Sequence, residues 1–322
     1  MIIVTGAAGF IGSSVVWYLN SIGKKDIIIS DKLRNEDKWL NIRKRNYLDW
    51  VDRDELFSFI ESHSSKINTI IHMGACSATT EKDGDFLMKN NYEYTKKLWD
   101  YSVKYDINFI YASSAATYGG GENGYNDKES IEPLLPLNKY GYSKQIFDIW
   151  ALKQEKTPKK WAGLKFFNVY GPNEYHKGRM ASVVYHAYNQ VLSNREVKLF
   201  KSYKKGYEDG FQLRDFVYVK DVVKIINFFR ENKDYENGIY NIGTGVADSF
   251  YNLAKYTMES MGKVPNISFI DMPEDIREKY QYFTEAKMEK LRKNGYREKL
   301  FSLEDGIRDY VVNYLLKEDK YL

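Results

Sequence analysis

The chain has 322 residues, of which 43% are hydrophobic and 29% charged, so it can bury a substantial core and is not disordered. Its net charge of +4 comes from Lys and Arg residues spread along the sequence, which does not indicate a nucleic-acid partner. A single cysteine excludes an internal disulfide, and no apolar run approaches the roughly 20 residues that span a bilayer. The opening segment resembles a strand and not a signal peptide. We therefore expect a cytoplasmic, non-membrane protein.

Short apolar runs alternate with amphipathic stretches in the first half of the chain. The predicted strands cover residues 2–5, 27–30, 69–72, 109–112 and 162–167. The predicted helices cover residues 11–21, 53–62, 86–105 and 142–154. This alternation is typical of βαβ units, so we predict an α/β fold with a Rossmann-type, doubly wound parallel sheet, whose ligand lies beyond the carboxyl ends of the strands.

The pattern becomes mixed after Gly171-Pro172. The predicted helices here cover residues 181–193, 219–231, 250–261, 285–293 and 303–316. We expect residues 1–170 to form the sheet domain, with a strand and a helix returning to it near residues 214–250. Residues 171–322 are expected to form mainly a smaller, mixed α/β lid, in which the loop-like segment 201–212 borders the site.

Three glycines, Gly6, Gly9 and Gly12, follow the first predicted strand and open the first helix. A dinucleotide pyrophosphate needs backbone N–H groups at a helix N-terminus with no side chains in the way. Strand, glycine spacing and helix agree, so the first domain is predicted to bind NAD(P). The spacing is typical of short-chain dehydrogenases/reductases.

The second predicted strand leads into Asp31, whose carboxylate can accept hydrogen bonds from a ribose diol, as expected for NAD. The cations Lys32, Arg34, Lys38 and Arg53 follow, and they can neutralise the 2′-phosphate that distinguishes NADP. The residues alone therefore leave NAD and NADP open.

Tyr140 and Lys144 are four residues apart at the start of a predicted helix, so both side chains can lie on one face. A tyrosine is a poor base at a pKa near 10, but a neighbouring ammonium group favours the phenolate, which can then take a hydroxyl proton. Ser114, after the fourth predicted strand, is expected to hydrogen-bond the same oxygen. This trio predicts an oxidation and reduction site.

A second polar cluster follows the predicted strand that ends at residue 167. Asn168 can hydrogen-bond a sugar, while Lys177 and Arg179 can bind a pyrophosphate or supply a proton from a second direction. The four histidines lack ligand spacing, so no metal site is predicted. Cys76 has no nucleophilic partner in the sequence and is expected to lie in a loop close to the cofactor.

The whole chain resembles one family, the ADP-L-glycero-D-manno-heptose 6-epimerases, which are extended short-chain dehydrogenases/reductases. The resemblance rests on segments along the full length: Met-Ile-Ile-Val-Thr-Gly at residues 1–6, Gly-Ala-Cys-Ser-Ala-Thr-Thr-Glu at 74–81, Asn-Asn-Tyr at 90–92, Tyr-Ala-Ser-Ser-Ala-Ala-Thr-Tyr-Gly-Gly at 111–120, Tyr-Gly-Tyr-Ser-Lys at 140–144, Phe-Asn-Val-Tyr-Gly-Pro at 167–172, His-Lys-Gly at 176–178, Met-Ala-Ser at 180–182, Arg-Asp-Phe-Val-Tyr-Val at 214–219 and Asn-Ile-Gly-Thr-Gly at 241–245. The Gly-Ala-Cys-Ser and His-Lys-Gly segments are specific to the family, and the others occur across the superfamily.

The resemblance implies epimerisation at C6 of an ADP-linked heptose, a precursor of the lipopolysaccharide inner core, with NADP as a tightly held cofactor and Tyr140 and Lys177 as the two acid/base residues. It implies a nucleotide-sugar substrate, and the expected assembly is a homo-oligomer, with a pentamer as one candidate. The residues expected to bind the cofactor are Gly6, Gly9, Phe10, Ile11, Gly12, Asp31, Lys32, Lys38, Arg53, Met73, Gly74, Ala75, Cys76, Ser77, Asn90, Lys144, Val169 and Lys177. Those expected to bind the substrate are Asn168, Arg179, His186, Phe200, Lys201, Ser202, Tyr203, Arg214 and Tyr280.

Three positions and one segment depart from the family pattern. Met73 replaces a Glu, Arg179 a Ser and Arg53 a Lys, and Lys201-Ser-Tyr203, with an insertion, replaces a Glu-Gly-Ser stretch. These changes affect the expected nucleotide contacts more than the chemistry. The alternatives are another nucleotide-sugar epimerase or dehydratase on the same scaffold, or a noncatalytic dinucleotide-binding protein; the retained Tyr140, Lys144 and Ser114 disfavour the last.

Overall fold

The computed structural model describes residues 1–277 and 280–322. Its strands are β1 (Ile2–Thr5), β2 (Ile27–Asp31), β3 (Asp49–Asp52), β4 (Thr69–His72), β5 (Asn108–Ser114), β6 (Trp161–Phe166), β7 (Asn168–Tyr170), β8 (Val197–Phe200), β9 (Leu213–Tyr218), β10 (Gly238–Ile242), β11 (Ala247–Ser249) and β12 (Ile267–Ile270). Its α-helices are α1 (Phe10–Ser21), α2 (Leu56–His63), α3 (Gly84–Leu87), α4 (Tyr94–Lys104), α5 (Lys139–Leu152), α6 (Val183–Asn194), α7 (Val219–Glu231), α8 (Phe250–Ser260), α9 (Glu274–Arg277), α10 (Glu289–Lys293) and α11 (Leu303–Tyr310).

A seven-stranded parallel sheet organises the molecule, with strands in the order β10-β6-β5-β4-β1-β2-β3. The chain starts in the middle at β1, builds outward to β3 and then returns to build outward from β4. This reversal between β1 and β4 opens a crevice at the carboxyl ends of the two strands. The predicted doubly wound α/β fold is confirmed.

The sequence of the inner strands explains why they are buried. β1 reads Ile-Ile-Val-Thr and β4 reads Thr-Ile-Ile-His, and all eight residues are buried. Short, buried segments with consecutive Ile or Val residues are typical of parallel strands covered on both faces by helices. Here α1 packs against α7, and α2 packs against α4.

The edge strand β3 was not predicted, because Asp49-Trp-Val-Asp52 has only two apolar residues between two aspartates, and only Val51 is buried. The helix predicted over residues 53–62 begins later, at Leu56. The helix predicted over 86–105 is interrupted by a π-helical segment, Met88–Glu93, in which Asn90 and Asn91 are buried. π-bulges are frequent at functional sites.

The second half of the chain adds two small sheets. β7, β9 and β11 form a mixed sheet, and β8 pairs with β12 in parallel. A separate apolar cluster that includes Tyr170, Tyr218, Ile307 and Tyr310 supports this part. Apart from the strand expected to return near residues 214–250, the strands of this half were not predicted, although the mixed α/β character was.

The returning segment near residues 214–250 is present as β9, α7 and β10. β10 joins the large sheet beside β6, and α7 lies on α1. The domain boundary at residue 170 stays a prediction. Within residues 1–277 and 280–322, no helix combines the length and the apolar character that a membrane crossing requires.

Candidate active site

A cavity of about 600 Å³ lies at the carboxyl ends of β1, β2, β4 and β5. All residues that the sequence predicted to contact a cofactor line it, as do the four predicted catalytic residues. The lining therefore includes Gly6, Gly9, Phe10, Ile11, Gly12, Asp31, Lys32, Lys38, Arg53, Met73, Gly74, Ala75, Cys76, Ser77, Asn90, Ser114, Tyr140, Lys144, Val169 and Lys177. The fold thus brings together groups that are up to 171 positions apart in the chain, from Gly6 to Lys177.

The loop that carries Gly6, Gly9 and Gly12, here called the glycine loop, lines the cavity. Gly6 has a φ of +62°, and a Cβ atom there would lie 2.6 Å from the Cα of Gly74. A Cβ at Gly12 would lie 2.1 Å from the carbonyl oxygen of Gly6, so this glycine allows the start of the helix to pack closely against the loop. No described side chain caps Gly9 at the start of α1. The first amides of α1 therefore remain for an anion, which fits a dinucleotide pyrophosphate.

Asp31 makes three hydrogen bonds within the protein. Its carboxylate accepts from the Ala8 amide at 2.9 Å, the Lys32 amide at 2.7 Å and the Lys38 ammonium at 2.9 Å. Asp31 therefore stabilises the glycine loop and holds Lys38 at the cavity. Both carboxylate oxygens are engaged, which reduces the capacity of Asp31 to bind a ribose diol.

Other cations surround the same end of the cavity. Lys32 pairs with Asp54 at the surface, and exposed Arg34 also lines the cavity. Arg53 hydrogen-bonds the side chain of Asn90, and its guanidinium lies 4.1 Å from the centre of the Tyr94 ring. Positive charge is therefore concentrated around Asp31.

The loop after β4 is held by the π-helical segment. The Asn91 side chain accepts from the Cys76 amide at 2.8 Å and donates to the Cys76 carbonyl at 3.0 Å. It also donates to the Ser143 hydroxyl at 3.1 Å, and Ser143 donates to the Tyr140 carbonyl at 2.7 Å. Asn91 therefore connects the loop at Cys76 to the helix that carries Tyr140.

Tyr140 and Lys144 lie in the first turns of α5, which begins at Lys139, three residues earlier than predicted. The Asn138 side chain caps the helix by accepting from the Gly141 amide at 2.8 Å. Burial raises the pKa of Tyr140, and the hydroxyl of Ser114 opposes this rise by hydrogen bonding. The predicted trio is thus assembled in one place.

The ammonium group of Lys144 is buried and donates a hydrogen bond to the carbonyl oxygen of Ala112 at 2.9 Å. Burial lowers the pKa of Lys144 to about 8, although the negative charge of Asp148 opposes this shift. Lys144 is therefore still mostly protonated at neutral pH but loses its charge within the range of an ordinary pH profile.

Lys177 lies in a 3₁₀ segment, Tyr175–Met180, on the other side of the cavity. Its ammonium group is 5.3 Å from the centre of the Phe10 ring, at the start of α1. Burial lowers the pKa of Lys177, and buried Glu174 opposes this shift. Arg179, two residues later, is exposed.

His176 precedes Lys177 and also lines the cavity. Its Nδ1 atom is 3.3 Å from the Asn41 amide nitrogen, which donates to the Ala8 carbonyl at 2.8 Å. Burial and the positive charges of Lys177 and Lys38 lower the pKa of His176 to about 4. A neutral His176 therefore connects the Lys177 segment to the glycine loop.

The predicted substrate residues lie outside the lining of the cavity, and several form a second cluster. The Arg214 guanidinium lies 5.2 Å from the centre of the Tyr280 ring and 5.6 Å from that of Phe250. Phe200 packs edge-on against Tyr280, with ring centres 6.4 Å apart. Burial lowers the pKa of Arg214. We call Phe200, Arg214, Phe250 and Tyr280 the arginine cluster.

The remaining predicted substrate residues are dispersed. Lys201 and Tyr203 both bind the surface carboxylate of Asp271, at 3.2 and 3.0 Å. The Ser202 amide donates to Asp209 at 2.7 Å. Asn168 is exposed at the start of β7, and His186 is half-buried on α6. Among the residues that the structure describes, neither these side chains nor the arginine cluster line the cavity at the glycine loop.

Comparison with known proteins decides the family. Residues 2–243 match the NAD dependent epimerase/dehydratase family. The ADP-L-glycero-D-manno-heptose-6-epimerase of Fusobacterium nucleatum is 60% identical over 333 residues, covering all of both chains. The chain belongs to the ADP-L-glycero-D-manno-heptose 6-epimerases.

Solved structures agree with this membership. The heptose epimerase of Helicobacter pylori superposes with a TM-score of 0.81 at 28% identity, covering 97% of this chain and 95% of that one. A UDP-glucose 4-epimerase of Thermus thermophilus in complex with NAD gives 0.77 at 25% identity, covering 96% and 97%. This heptose epimerase family member is therefore an isomerase that uses a nicotinamide dinucleotide.

Several residues at the epimerase cavity were not predicted from the sequence. Glu36, Phe86, Tyr94 and Met180 line it, and so does His176, which had been noted only as part of the His-Lys-Gly segment. Phe86 and Tyr94 flank the π-helical segment. Residue helix propensities do not predict such a segment. Met180 is three residues after Lys177, and its proximity could have been inferred from that spacing.

Proposed function

We propose that this chain inverts C6 of an ADP-linked manno-heptose through a transient 6-ketone, and so supplies a precursor of the lipopolysaccharide inner core. The observation that carries the proposal is that Tyr140 and Lys177, from two different segments, line the same cavity as the glycine loop. Inversion through a ketone needs a proton-transfer group for each face of the carbon. The nicotinamide supplies reversible hydride transfer at C6, and the protein supplies the proton transfers.

Tyr140 is the group that takes the C6 hydroxyl proton on the first face. Its burial opposes ionisation, since it raises the pKa of the phenol. The buried ammonium of Lys144, one helical turn away, and the hydroxyl of Ser114 favour the phenolate. These three side chains therefore act as one proton-transfer unit.

Lys177 is the group that protonates the alkoxide formed on the second face. C6 is exocyclic, so the ketone can turn about one bond while the nucleotide stays bound. Burial lowers the pKa of Lys177, which makes its ammonium a better acid than an exposed lysine. The Phe10 ring and Glu174 hold positive charge at this position.

We assign the nucleotide end of the substrate to the arginine cluster. Arg214 offers a buried guanidinium between two aromatic rings, a suitable partner for a pyrophosphate or a base. Gln281, next to Tyr280, donates a hydrogen bond to the Gly119 carbonyl. Gly119 is five residues after Ser114, so this contact connects the cluster to the segment that follows Ser114. The full predicted substrate set is Asn168, Arg179, His186, Phe200, Lys201, Ser202, Tyr203, Arg214 and Tyr280.

We assign NADP as the cofactor in preference to NAD. Lys32, Arg34, Lys38 and Arg53 line the end of the cavity where a 2′-phosphate would lie. Asp31, which would otherwise bind the ribose diol, is engaged by Ala8, Lys32 and Lys38. Residues 1–170 and β10 would hold this cofactor, and residues 171–322 would contribute mainly to substrate binding.

The cytoplasmic location and the homo-oligomeric assembly stay predictions. The function is tested by incubating the purified enzyme with ADP-D-glycero-D-manno-heptose and determining the configuration at C6 by NMR. Conversion to the L-glycero epimer without added reductant, and release of NADP from the denatured enzyme, are the expected results. Turnover of another nucleotide sugar with no change in the heptose would assign the enzyme to a different epimerase or dehydratase reaction.

A further inference from the structure

A buried ion pair lies beneath the catalytic residues. Asp148 and Lys165 are 3.2 Å apart, and both side chains are completely buried. Asp148 follows Tyr140 and Lys144 at intervals of four residues on α5, so all three lie along the same helix face. Lys165 is the penultimate residue of β6. Neither residue lines the cavity, so neither is a catalytic residue.

The ion pair is connected to Ser114 through one further side chain. Lys165 donates a hydrogen bond to the Thr117 hydroxyl at 2.5 Å, and Thr117 donates to the Ser114 carbonyl at 2.8 Å. Thr117 is completely buried in the 3₁₀ segment Ala115–Tyr118. A continuous chain of contacts therefore runs from the Tyr140 helix to the backbone of Ser114.

Two other hydroxyl groups bind Asp148 but are not part of that chain of contacts. Tyr111 donates to Asp148 at 2.9 Å and Ser113 at 2.6 Å. Tyr111 is buried in the core of the sheet and does not line the cavity. It therefore offers a matched control, since its hydroxyl contacts the same carboxylate without contacting the segment at Ser114.

Buried ion pairs do not by themselves account for stability. The desolvation of two charges offsets much of their attraction, and apolar replacements of both partners are often neutral or stabilising. A pair that served only packing could thus be replaced by apolar side chains. The contacts indicate instead that the pair orients two neighbouring elements, because it fixes the distance between α5 and the 3₁₀ segment after Ser114.

We propose that Asp148 and Lys165 are positioning residues that hold Ser114 in register with Tyr140 and Lys144 through Thr117. This inference rests on the proposed epimerisation, in which Ser114 and Tyr140 bind the same oxygen. Misplacement of a catalytic group by about 1 Å can reduce a rate by on the order of 100-fold. The expected consequence of breaking the connection is a loss in kcat and not in substrate affinity.

The first test compares Thr117→Val with Thr117→Ser and Tyr111→Phe. Thr117→Val removes the hydroxyl that joins Lys165 to Ser114, Thr117→Ser retains it, and Tyr111→Phe removes a different bond to Asp148. We expect kcat of Thr117→Val to fall by about 10-fold to 100-fold with KM and NADP affinity unchanged. The other two variants should retain kcat, whatever they lose in thermal stability.

Two results would overturn the proposal: a normal kcat in folded Thr117→Val, or an equal loss in Tyr111→Phe. If Thr117→Val does not fold, the double variant Asp148→Leu/Lys165→Met decides, since it removes both charges together. A folded double variant with reduced kcat supports positioning, and one with normal kcat contradicts it. Failure of both variants to fold also contradicts it, because the network would then be a requirement of folding.

Failure of the proposed function is seen separately, in the unmodified enzyme. If that enzyme does not invert C6 of the heptose, the epimerase assignment fails. If it inverts C6 and Thr117→Val does so at the same rate, only the positioning role fails.

Discussion

The ammonium group of Lys144 is fixed by a 2.9 Å hydrogen bond to the carbonyl oxygen of Ala112, on the neighbouring strand β5. This contact joins α5 to the strand that leads into Ser114. Lys144 cannot follow a moving substrate, since its side chain is buried and already bonded. Its charge is therefore held at a fixed position one helical turn from Tyr140, as the proposed stabilisation of the phenolate requires.

Replacing Tyr140 by Phe should give a folded protein that binds cofactor but loses most turnover. Only the hydroxyl is removed, and a general acid/base typically contributes about 100-fold to 10,000-fold. The measurement is kcat for C6 inversion, with thermal unfolding and NADP binding as controls for structure. Near-normal turnover would show that another group transfers the proton.

The rate should fall on the alkaline side as Lys144 loses its charge. Burial lowers the pKa of Lys144 to about 8, with Asp148 and the Cys76 thiol acting in the opposite direction. Above that pH the neutral amine no longer favours the Tyr140 phenolate, so kcat should decline as pH rises through about 8. In Lys144→Met the rate should be low and this decline absent; an unchanged alkaline decline would assign it to another group.

The core of the sheet could be predicted from the sequence because its strands carry a local signal. β1 and β4 are short, buried strands that carry consecutive Ile or Val residues, and the glycine loop follows β1 directly. The cofactor site followed from these, since the carboxyl ends of parallel strands share one edge. The predicted cofactor residues accordingly lie around one cavity.

Other features depend on contacts that local sequence does not encode. Lys165 has the sequence context of an ordinary strand lysine. Its pairing with Asp148 depends on the fold, which brings β6 next to α5. Likewise, Arg214 and Tyr280 are 66 residues apart, and only the fold of the second half brings them together. The four-residue spacing of Asp148 after Lys144 is the one local signal of this ion pair.

Removing cations near Asp31 should reduce the preference for NADP over NAD. Arg53→Ala deletes one charge near the expected phosphate position, and a lost charge-assisted hydrogen bond weakens binding by about 10-fold or more. Lys38→Met should have a larger effect on the preference, because it also releases Asp31 for a ribose diol. Dissociation constants for both cofactors measure this.

The exposed Lys24 provides a control, since it does not line the cavity. Lys24→Ala should leave both cofactor affinities unchanged. Equal losses of NADP and NAD binding in Arg53→Ala and Lys38→Met would contradict recognition of a 2′-phosphate.

Stability should fall in mild acid because of His72. This residue is completely buried between the hydroxyls of Thr5 and Thr95, at 2.6 and 3.0 Å, and burial lowers its pKa well below the ordinary value. Below about pH 6.5 the unfolded chain binds a proton at this histidine and the folded chain does not, so the free energy of unfolding decreases as pH falls.

The comparison of unfolding in urea at several pH values isolates this contribution. One proton corresponds to at most about 1.4 kcal/mol per pH unit. His72→Asn should be less stable overall but should show a shallower decline between about pH 6.5 and 5 than the unmodified protein. His63→Asn, on the outer helix α2, serves as the control, and identical slopes for the unmodified protein and His72→Asn would remove His72 as the cause.

The two candidate roles of Lys177 make opposite kinetic predictions. If its ammonium only binds phosphate, Lys177→Met should raise KM and spare kcat. If it protonates the second face of C6, kcat should fall by about 100-fold or more with substrate binding intact. Arg179→Met gives the comparison for a residue that only binds substrate, because Arg179 belongs to the predicted substrate set and its charge is exposed. We expect Arg179→Met to spare kcat.

Substrate deuterated at C6 tests the same scheme by following the hydrogen atom on the reacting carbon. Because the hydrogen taken from C6 returns to C6 in the proposed reaction, the product of the unmodified enzyme should retain deuterium in ordinary water. Lys177→Met should retain it as well, at a lower rate, since the variant loses a proton donor and not the path of the C6 hydrogen. Loss of deuterium to solvent in the unmodified enzyme would show that C6 exchanges its hydrogen as a proton. In that case direct return of the hydrogen to C6 would be ruled out, and with it the proposed 6-ketone scheme.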